Sequence, residues 1–338
     1  MLIKAGTTIG KYTIQRQLGA GGMGAVYAAN QEGLGRRVAI KVILPGLALD
    51  AKSLRDAEER FQREARTLAQ ISDPHVVQVF DFGRHEVQGQ PFLYMAMEFI
   101  DGGAWDSAIS ARKKMSQAEI LGIARQAALG LAIAEEEKIF HRDVKPANIM
   151  ITRKGVVKVV DFGLSVDEDN YQVTGHQAKG TPPFMAPEVW EGQPSDQRTD
   201  IYALGVSMWW ALTGSFPYLG SNMGEWIRLH CLAPLPTHEI LDPAVVAVLH
   251  RMMAKSVQDR YQHHRDVVAA LEQLGAAADL RINVKDWFAD QAIDQTKLAK
   301  SLPVADSSKP VARREVDAMG RKVLRLAEPI IIHVPITL

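Results

Sequence analysis

The chain has 338 residues, enough for one large or two small domains, and its 47% apolar content suits a sizeable core. Lysine plus arginine and aspartate plus glutamate both total 39, so net charge gives no reason to expect nucleic acid or an anionic membrane as partner. Cys231 is the only cysteine, which excludes an internal disulfide and any cysteine metal cluster and fits a reducing compartment.

Residues 1–10 hold no apolar stretch of signal-peptide length, and no apolar run reaches bilayer length. The ten histidines show no metal-ligand spacing. The adjacent pair His263 and His264 reads as solvated surface, because neighbours on a helix do not face each other.

The first strand is predicted over residues 11–18, with Tyr12, Ile14 and Leu18 as its apolar members. Gly19-Ala20-Gly21-Gly22-Met23-Gly24 follows. Glycines let backbone amides approach phosphates closely, although such a run also marks a plain flexible turn. A dinucleotide site would place a helix next. Here a second strand follows over residues 26–29, which favours a hairpin lid. Val38-Ala39-Ile40-Lys41-Val42 is the next strand. Lysine is costly to bury unpaired, so Lys41 either faces an edge or clamps phosphates.

A helix is predicted over residues 53–70, with Phe61, Ala65 and Leu68 at helical spacing and a charged, solvated face. Arg60 lies one turn before Glu64. Residues 76–80 and 92–99 read as further strands, the second running into Met97-Glu98-Phe99-Ile100-Asp101-Gly102-Gly103.

The chain then turns helix-rich. Ser116-Gln117-Ala118-Glu119 is a capping box, and the helix it opens turns Ile120, Ile123, Ala127 and Leu131 inward before reaching His141. His141-Arg142-Asp143-Val144-Lys145-Pro146-Ala147-Asn148 follows, and Asp161-Phe162-Gly163 comes thirteen residues beyond Asn148. Between them, Ile149–Thr152 and residues 156–160 read as strands joined through Lys154-Gly155. A hairpin there returns Asp143, Lys145 and Asn148 to Asp161: a base candidate, a cation and two oxygen ligands. Mg2+ is a hard ion that favours such ligands together with substrate phosphates.

Past Gly163 the chain is polar up to Gly180-Thr181-Pro182-Pro183-Phe184-Met185-Ala186-Pro187-Glu188. Asp200 opens an apolar helix through Leu212, Asp242-Pro243 starts another, and residues 265–274 form the last.

Over roughly residues 9–274 these motifs resemble the eukaryotic-like serine/threonine protein kinases of bacteria. The resemblance implies an α+β, bilobal fold: a small β-rich N-lobe of about residues 9–100, a larger helical C-lobe of about 101–274, and an ATP cleft between them. It implies a transferase that moves the ATP γ-phosphoryl group to serine or threonine hydroxyls of proteins, autophosphorylating, in cytoplasmic signal transduction. Asp143 then accepts or orients the hydroxyl proton and Lys145 neutralises charge. Asn148 and Asp161 hold Mg2+, with Mn2+ as an alternative, and Lys41 paired with Glu64 positions the phosphates. Gly19, Gly21 and Gly24 form the lid. Met97 is the gatekeeper, and backbone groups of Glu98 and Ile100 hold adenine. Val26, Ala39 and Met150 sandwich the ring, although on their own they read equally well as core. Lys145 and Thr181 imply serine/threonine specificity.

The resemblance further implies that Asp200 supports the catalytic-loop backbone, though alone it reads as a helix N-terminal charge, and that Arg260 pairs with Glu188. Arg142 awaits a phosphate on Thr174, aided by Arg60, with Val166 where a third basic residue is common. Otherwise Arg142 ties the loop to Asp167, Glu168 or Asp169. Ala104 and Ala147 replace the acids that select arginine upstream of the target. At the ribose either Asp101 or Asp106 stands in. A pseudokinase and a small-molecule kinase are the competing classes: the first usually lacks a catalytic part, and the second lacks a peptide platform such as residues 180–188.

Residues 275–338 match nothing recognised. Residues 301–310 read as a linker, 311–328 as a basic amphipathic helix and 329–338 as an apolar tail, either packed on the body or docking a partner. The extension is expected to be dispensable for catalysis. Oligomeric state, substrate and upstream signal are not legible.

Overall fold

A computed structural model describes residues 3–21, 24–43, 51–87, 89–111, 115–162 and 181–276, residues 282, 284 and 287, and the backbone of 312–316 and 322–326. Thr174, Val166, residues 167–169, the side chain of Arg60, the linker and the apolar tail lie outside the described residues.

The first half is built on strands β1 (Thr8–Ile9), β2 (Tyr12–Gly21), β3 (Gly24–Gln31) and β4 (Arg37–Ile43), helix α1 (Ala51–Gln70), and strands β5 (Val79–Val87) and β6 (Gln90–Glu98). The strands form one six-stranded antiparallel sheet in the order β1-β2-β3-β4-β6-β5. Its two faces follow from strand alternation. Val38, Ile40 and Val42 point into a small core with Ile3, Ile9, Tyr12, Tyr27 and Phe92. Ala39 and Ile43 point the other way, into the large core that also takes Phe61, Ala65 and Leu68 of α1. Lys41 shares that second face by register, opposite Val26 on β3 and Met95 on β6.

The strand expected over residues 76–80 starts later, at Val79. Val76 and Val77 are engaged elsewhere. Val76 forms a parallel bridge with Val159, and Val77 N donates to Val159 O at 3.0 Å. Just before them, His75 O accepts from Val159 N at 2.8 Å and His75 Nδ1 meets Val157 O at 2.9 Å.

The second half holds β7 (Gly102–Ala104), α2 (Trp105–Ser110), α3 (Gln117–Glu136), β8 (Ile149–Thr152), β9 (Val157–Val159), α4 (Pro187–Trp190), α5 (Gln197–Thr213), α6 (Met223–Leu232), α7 (Pro243–Met252) and α8 (His264–Gln273). Strands β7, β8 and β9 form a three-stranded sheet. Helix α3 is buried on nearly all sides and packs on α5, α8 and β9. Its capping box is formed, with Glu119 N on Ser116 Oγ at 3.2 Å and Ser116 N on Glu119 Oε2 at 2.8 Å. Helix α5 begins a turn earlier than expected. Asp196 caps it by accepting from Arg198 N, so Asp200 sits inside the first turn.

Two readings are corrected. His264 is 1% exposed, not solvated: it and His263 both bond Glu135 at the end of α3, at 2.7 and 2.6 Å. The adjacent pair spans the N-cap of α8, where consecutive residues diverge. The helix expected over residues 311–328 is replaced by strand at the ten of them that are described. Ala312–Val316 (β10) and Lys322–Leu326 (β11) pair antiparallel, with Arg314 opposite Leu324. Gly320 lies between the two runs, and a glycine-containing connection of a few residues favours a hairpin.

Candidate active site

The loop over residues 141–148 is held by α5. Asp200, 1% exposed, accepts His141 N on Oδ2 and Arg142 N on Oδ1, both at 2.7 Å. Arg142 has φ +62, a left-handed conformation that costs a non-glycine residue about 1 kcal/mol. Two charge-assisted bonds to one carboxylate offset that cost. Burial pushes the Asp200 carboxyl above its ordinary value, while His141, His264 and the two amides pull the other way.

The His141 ring is buried between two backbone groups. Asp143 N donates to Nδ1 at 3.2 Å, and Nε2 meets Val160 O at 2.8 Å. An amide can only donate and a carbonyl can only accept, so the ring proton sits on Nε2. The ring packs on Phe162 with centroids 4.9 Å apart.

Asp143 is the hub. Lys145 Nζ donates to its Oδ2 at 2.6 Å, Asn148 Nδ2 to its Oδ2 at 3.2 Å and to its carbonyl at 2.8 Å. Lys145 Nζ also reaches Thr181 Oγ1 at 2.9 Å, and that hydroxyl points back at Asp143 Oδ1 from 3.4 Å. A protein hydroxyl thus already sits between a carboxylate and an ammonium.

The β8–β9 hairpin forms with Ile149 opposite Val159 and Ile151 opposite Val157, and Val160 N donates to Asn148 O at 2.9 Å. This register sets Asn148 and Asp161 at facing ends. Asp161 has φ +60 and forms an ion pair with Lys41, Nζ to Oδ1 at 3.2 Å. Burial alone would raise the Asp161 carboxyl; Lys41 first, then His141 and Lys145, hold it below its ordinary value instead. The spare Oδ1 of Asn148 and an ionised Asp161 suit a hard cation that takes few protein oxygens and completes its shell with phosphates and water. Among the described residues no group of three or more His, Cys, Asp or Glu makes a self-contained cage. Glu64 lies on α1, half-buried, between Phe61 at 1% and Ala65 at 0% exposure.

At the other end of the cleft Ala39, Met97, Ile100 and Met150 are buried in one cluster, with Val26 half-buried against it. Strand register pairs Ala39 with Met97 and Gly19 with Val26, and Gly21 faces Gly24 at the turn. Gly24 has a reason of its own: at φ +145, a Cβ there would sit 1.9 Å from Val42 O. Gly24 is thus required by its approach to β4 alone. Glu98, assigned from sequence through its backbone alone, also uses its side chain: Oε1 accepts Gln78 N at 2.9 Å and Lys158 Nζ at 2.8 Å. Of the two ribose candidates, Asp101 is exposed and tied to Arg153 at 3.1 Å. Asp106 is half-buried on α2, and burial holds its carboxyl above its ordinary value against the opposing hydrogen bonds of Ser107 and the charge of Lys145.

Glu188 and Arg260 meet as two parallel hydrogen bonds of 2.8 and 2.7 Å, and Thr199 Oγ1 donates to Glu188 Oε1 at 2.7 Å. No sequence signal pointed to Lys158 or Glu135, whose partners lie far along the chain, or to Thr199, whose partner Glu188 lies eleven residues before it.

The family described as protein kinase domain matches residues 12–270. The chain is 34% identical over 275 residues to serine/threonine-protein kinase PknH of Mycobacterium bovis, covering 80% of this chain and 45% of the relative. It is 35% identical over 284 residues to probable serine/threonine-protein kinase pknA2 of Bifidobacterium longum, covering 82% and 36%. It thus spans less than half the length of these curated relatives. Among solved structures, the kinase domain of Mycobacterium tuberculosis PknI is similar, with a TM-score of 0.59 at 28% identity, covering 81% of this chain and 99% of that one. No helix among the described residues is long and apolar enough to cross a membrane.

Proposed function

The chain belongs to the protein kinase domain family, and from that premise we propose that it is an ATP-dependent serine/threonine protein kinase. The observation that carries this reading is the triangle of Asp143, Lys145 and Thr181, in which a hydroxyl already stands between a base and a cation. A substrate hydroxyl takes the same kind of place. Asp143 orients it and receives its proton, and Lys145 balances charge on the group in transit. Lys41 holds the phosphates, with Glu64 assigned as its partner in the active state. Val26, Ala39, Met97 and Met150 enclose the adenine ring, and the backbone of Glu98 and Ile100 reads its edge. Asn148 and Asp161 are assigned to Mg2+, which when bound neutralises the phosphate oxygens.

Thr181 beside Lys145 supports serine/threonine over tyrosine acceptors. The bidentate Glu188–Arg260 pair beneath residues 181–188 supports a peptide platform, and hence a protein rather than a small-molecule substrate. Autophosphorylation and a place in signal transduction follow as part of the same reading. The use of ATP and the single Cys231 support action in the cytoplasm.

Incubation with radiolabelled ATP and Mg2+, with and without a generic protein substrate, is the test. Label on protein is expected. Nucleotide binding without transfer would make the chain a pseudokinase, and label confined to small molecules would move it to another kinase class.

A further inference from the structure

The last helix of the family match is not the end of the packed body. Ala276, Ile282, Val284 and Trp287 are 2%, 3%, 7% and 8% exposed and belong to the same core as Ile149, Ile151, Val157 and Val159. Gly275, at φ +90, turns the chain off α8, and Ala276 N donates back to Leu271 O at 3.0 Å. Ile282 then lies against the tip of the β8–β9 hairpin, backbone to backbone. A Cβ added to Gly155, which has φ +78, would sit 2.5 Å from Ile282 O and 2.9 Å from Ile282 N. Only glycine allows both the turn and that approach. Trp287 N donates to Val284 O at 3.0 Å.

What this segment touches decides its meaning. The hairpin carries Asn148 at one end and Asp161 at the other, and its strands are four and three residues long. So short a ribbon is marginal unless its surroundings hold it. One side is secured by β7. The β9 side is secured by Gln126, whose Oε1 accepts Val157 N at 3.0 Å, and by the His75 backbone. The tip is secured by residue 282. Twist or slippage at the tip is carried by the strand ladder straight to the two oxygen ligands.

We propose that Ala276, Ile282, Val284 and Trp287 mark a strap of the catalytic domain, and that Ile282 and Trp287 are positioning residues acting on Asn148 and Asp161 through the β8–β9 hairpin. The proposal rests on the kinase reading of those two ligands. It replaces the expectation that everything past residue 275 is dispensable. Ala276, Ile282, Val284 and Trp287 belong with the chemistry, and dispensability is left to residues beyond 287.

The test uses the full chain and three variants: Trp287→Ala, Trp287→Phe and Ile282→Ala. ATP binding is titrated by calorimetry across a series of Mg2+ concentrations and without Mg2+, alongside melting temperature. Trp287→Ala is expected to raise the half-saturating Mg2+ concentration by about tenfold, the scale on which groups that orient metal ligands act. Mg2+-free ATP binding should be unchanged, and Trp287→Phe should restore most of the Mg2+ response. A lower melting temperature with unaltered Mg2+ dependence overturns the proposal, because the strap then only fills core. Should Trp287→Ala fail to fold, Ile282→Ala is read by the same criterion. Absence of Mg2+-dependent ATP binding in the unmutated chain is a different result: it overturns the kinase reading beneath the proposal.

Discussion

Arg260 and Glu188 face each other as a bidentate ion pair with side-chain exposures of 0% and 8%, seventy-two residues apart in sequence. The remaining guanidinium donors go to the carbonyls of Ala254, Arg198 and Lys255. A buried pair this fully bonded adds little over an apolar substitute, yet breaking it strands a charge. Arg260→Met should therefore destabilise the fold by about 3–5 kcal/mol. The double variant Arg260→Met, Glu188→Leu should recover much of that loss. Urea unfolding of the single and double variants measures both.

Catalysis should fail without unfolding when charge is removed from the cleft. Asp143→Asn and Lys41→Met are each expected to lower phosphoryl transfer by about a thousandfold or more, with unchanged circular dichroism. Asp143→Asn should still bind ATP, because it removes a base and not a phosphate contact. Wild-type turnover in either variant would remove these residues from the mechanism.

Low pH should unlock the junction of α3 and α8. Burial raises the Glu135 carboxyl, but hydrogen bonds from His264 and His263 outweigh it and lower the pKa from 4.5 to about 2. A depressed carboxylate contributes stability that is present above its unfolded value and is lost as pH falls through the folded one. The loss therefore runs from about pH 4.5 down to about pH 2 and is at most about 3 kcal/mol. The His263 pKa is raised above 6.5 by its bond to Glu135, so its smaller contribution is complete below 6.5 and fades as pH rises past its folded value. Thermal melts from pH 2 to pH 8 should show both slopes in the natural protein and neither in Glu135→Gln.

Loop phosphorylation should modulate activity without being an absolute requirement. The loop hydroxyl expected to take phosphate is Thr174, and Arg142, fixed in place by Asp200, is its intended cation. Intact mass and peptide mapping after ATP treatment should find phosphate on Thr174, and Thr174→Ala should slow turnover several-fold. A fully active kinase with unmodified Thr174 would rule this switch out.

The loop 141–148 and the β8–β9 hairpin were readable because their interactions are local: Asp143, Lys145, Asn148 and Asp161 are joined by one short ribbon, two apolar runs broken at Lys154-Gly155. The sheet strands were readable from period-two patterns such as Val38, Ile40 and Val42. What escaped depends on distant partners. Val76 and Val77 look like the start of a strand, and only Val159, more than eighty residues on, claims them. His264 looks polar and exposed until Glu135 is placed beside it. Ile282 and Val284 do alternate, but two apolar residues beyond the last motif are too short a pattern to distinguish from a linker. The mistaken helix over residues 311–328 was a charge pattern read without regard to the break at Gly320.

The pairing of residues 75–77 with β9 has a mechanical consequence. These residues precede β5, yet they are fastened to the helical half of the molecule, where a Cβ on Gly130 of α3 would lie 2.4 Å from His75 O. The far end of α1 is thus moored to one lobe while its flank packs on the sheet of the other. Any rotation of the lobes must swing α1 about Gln70 as a lever about a fulcrum. At about 1.5 Å of rise per residue, Glu64 lies about 9 Å from that pivot, so a turn of about 10° carries it about 1.5 Å. That is half the length of a hydrogen bond. Closing the cleft and displacing Glu64 are then a single motion, geared through the backbone of His75.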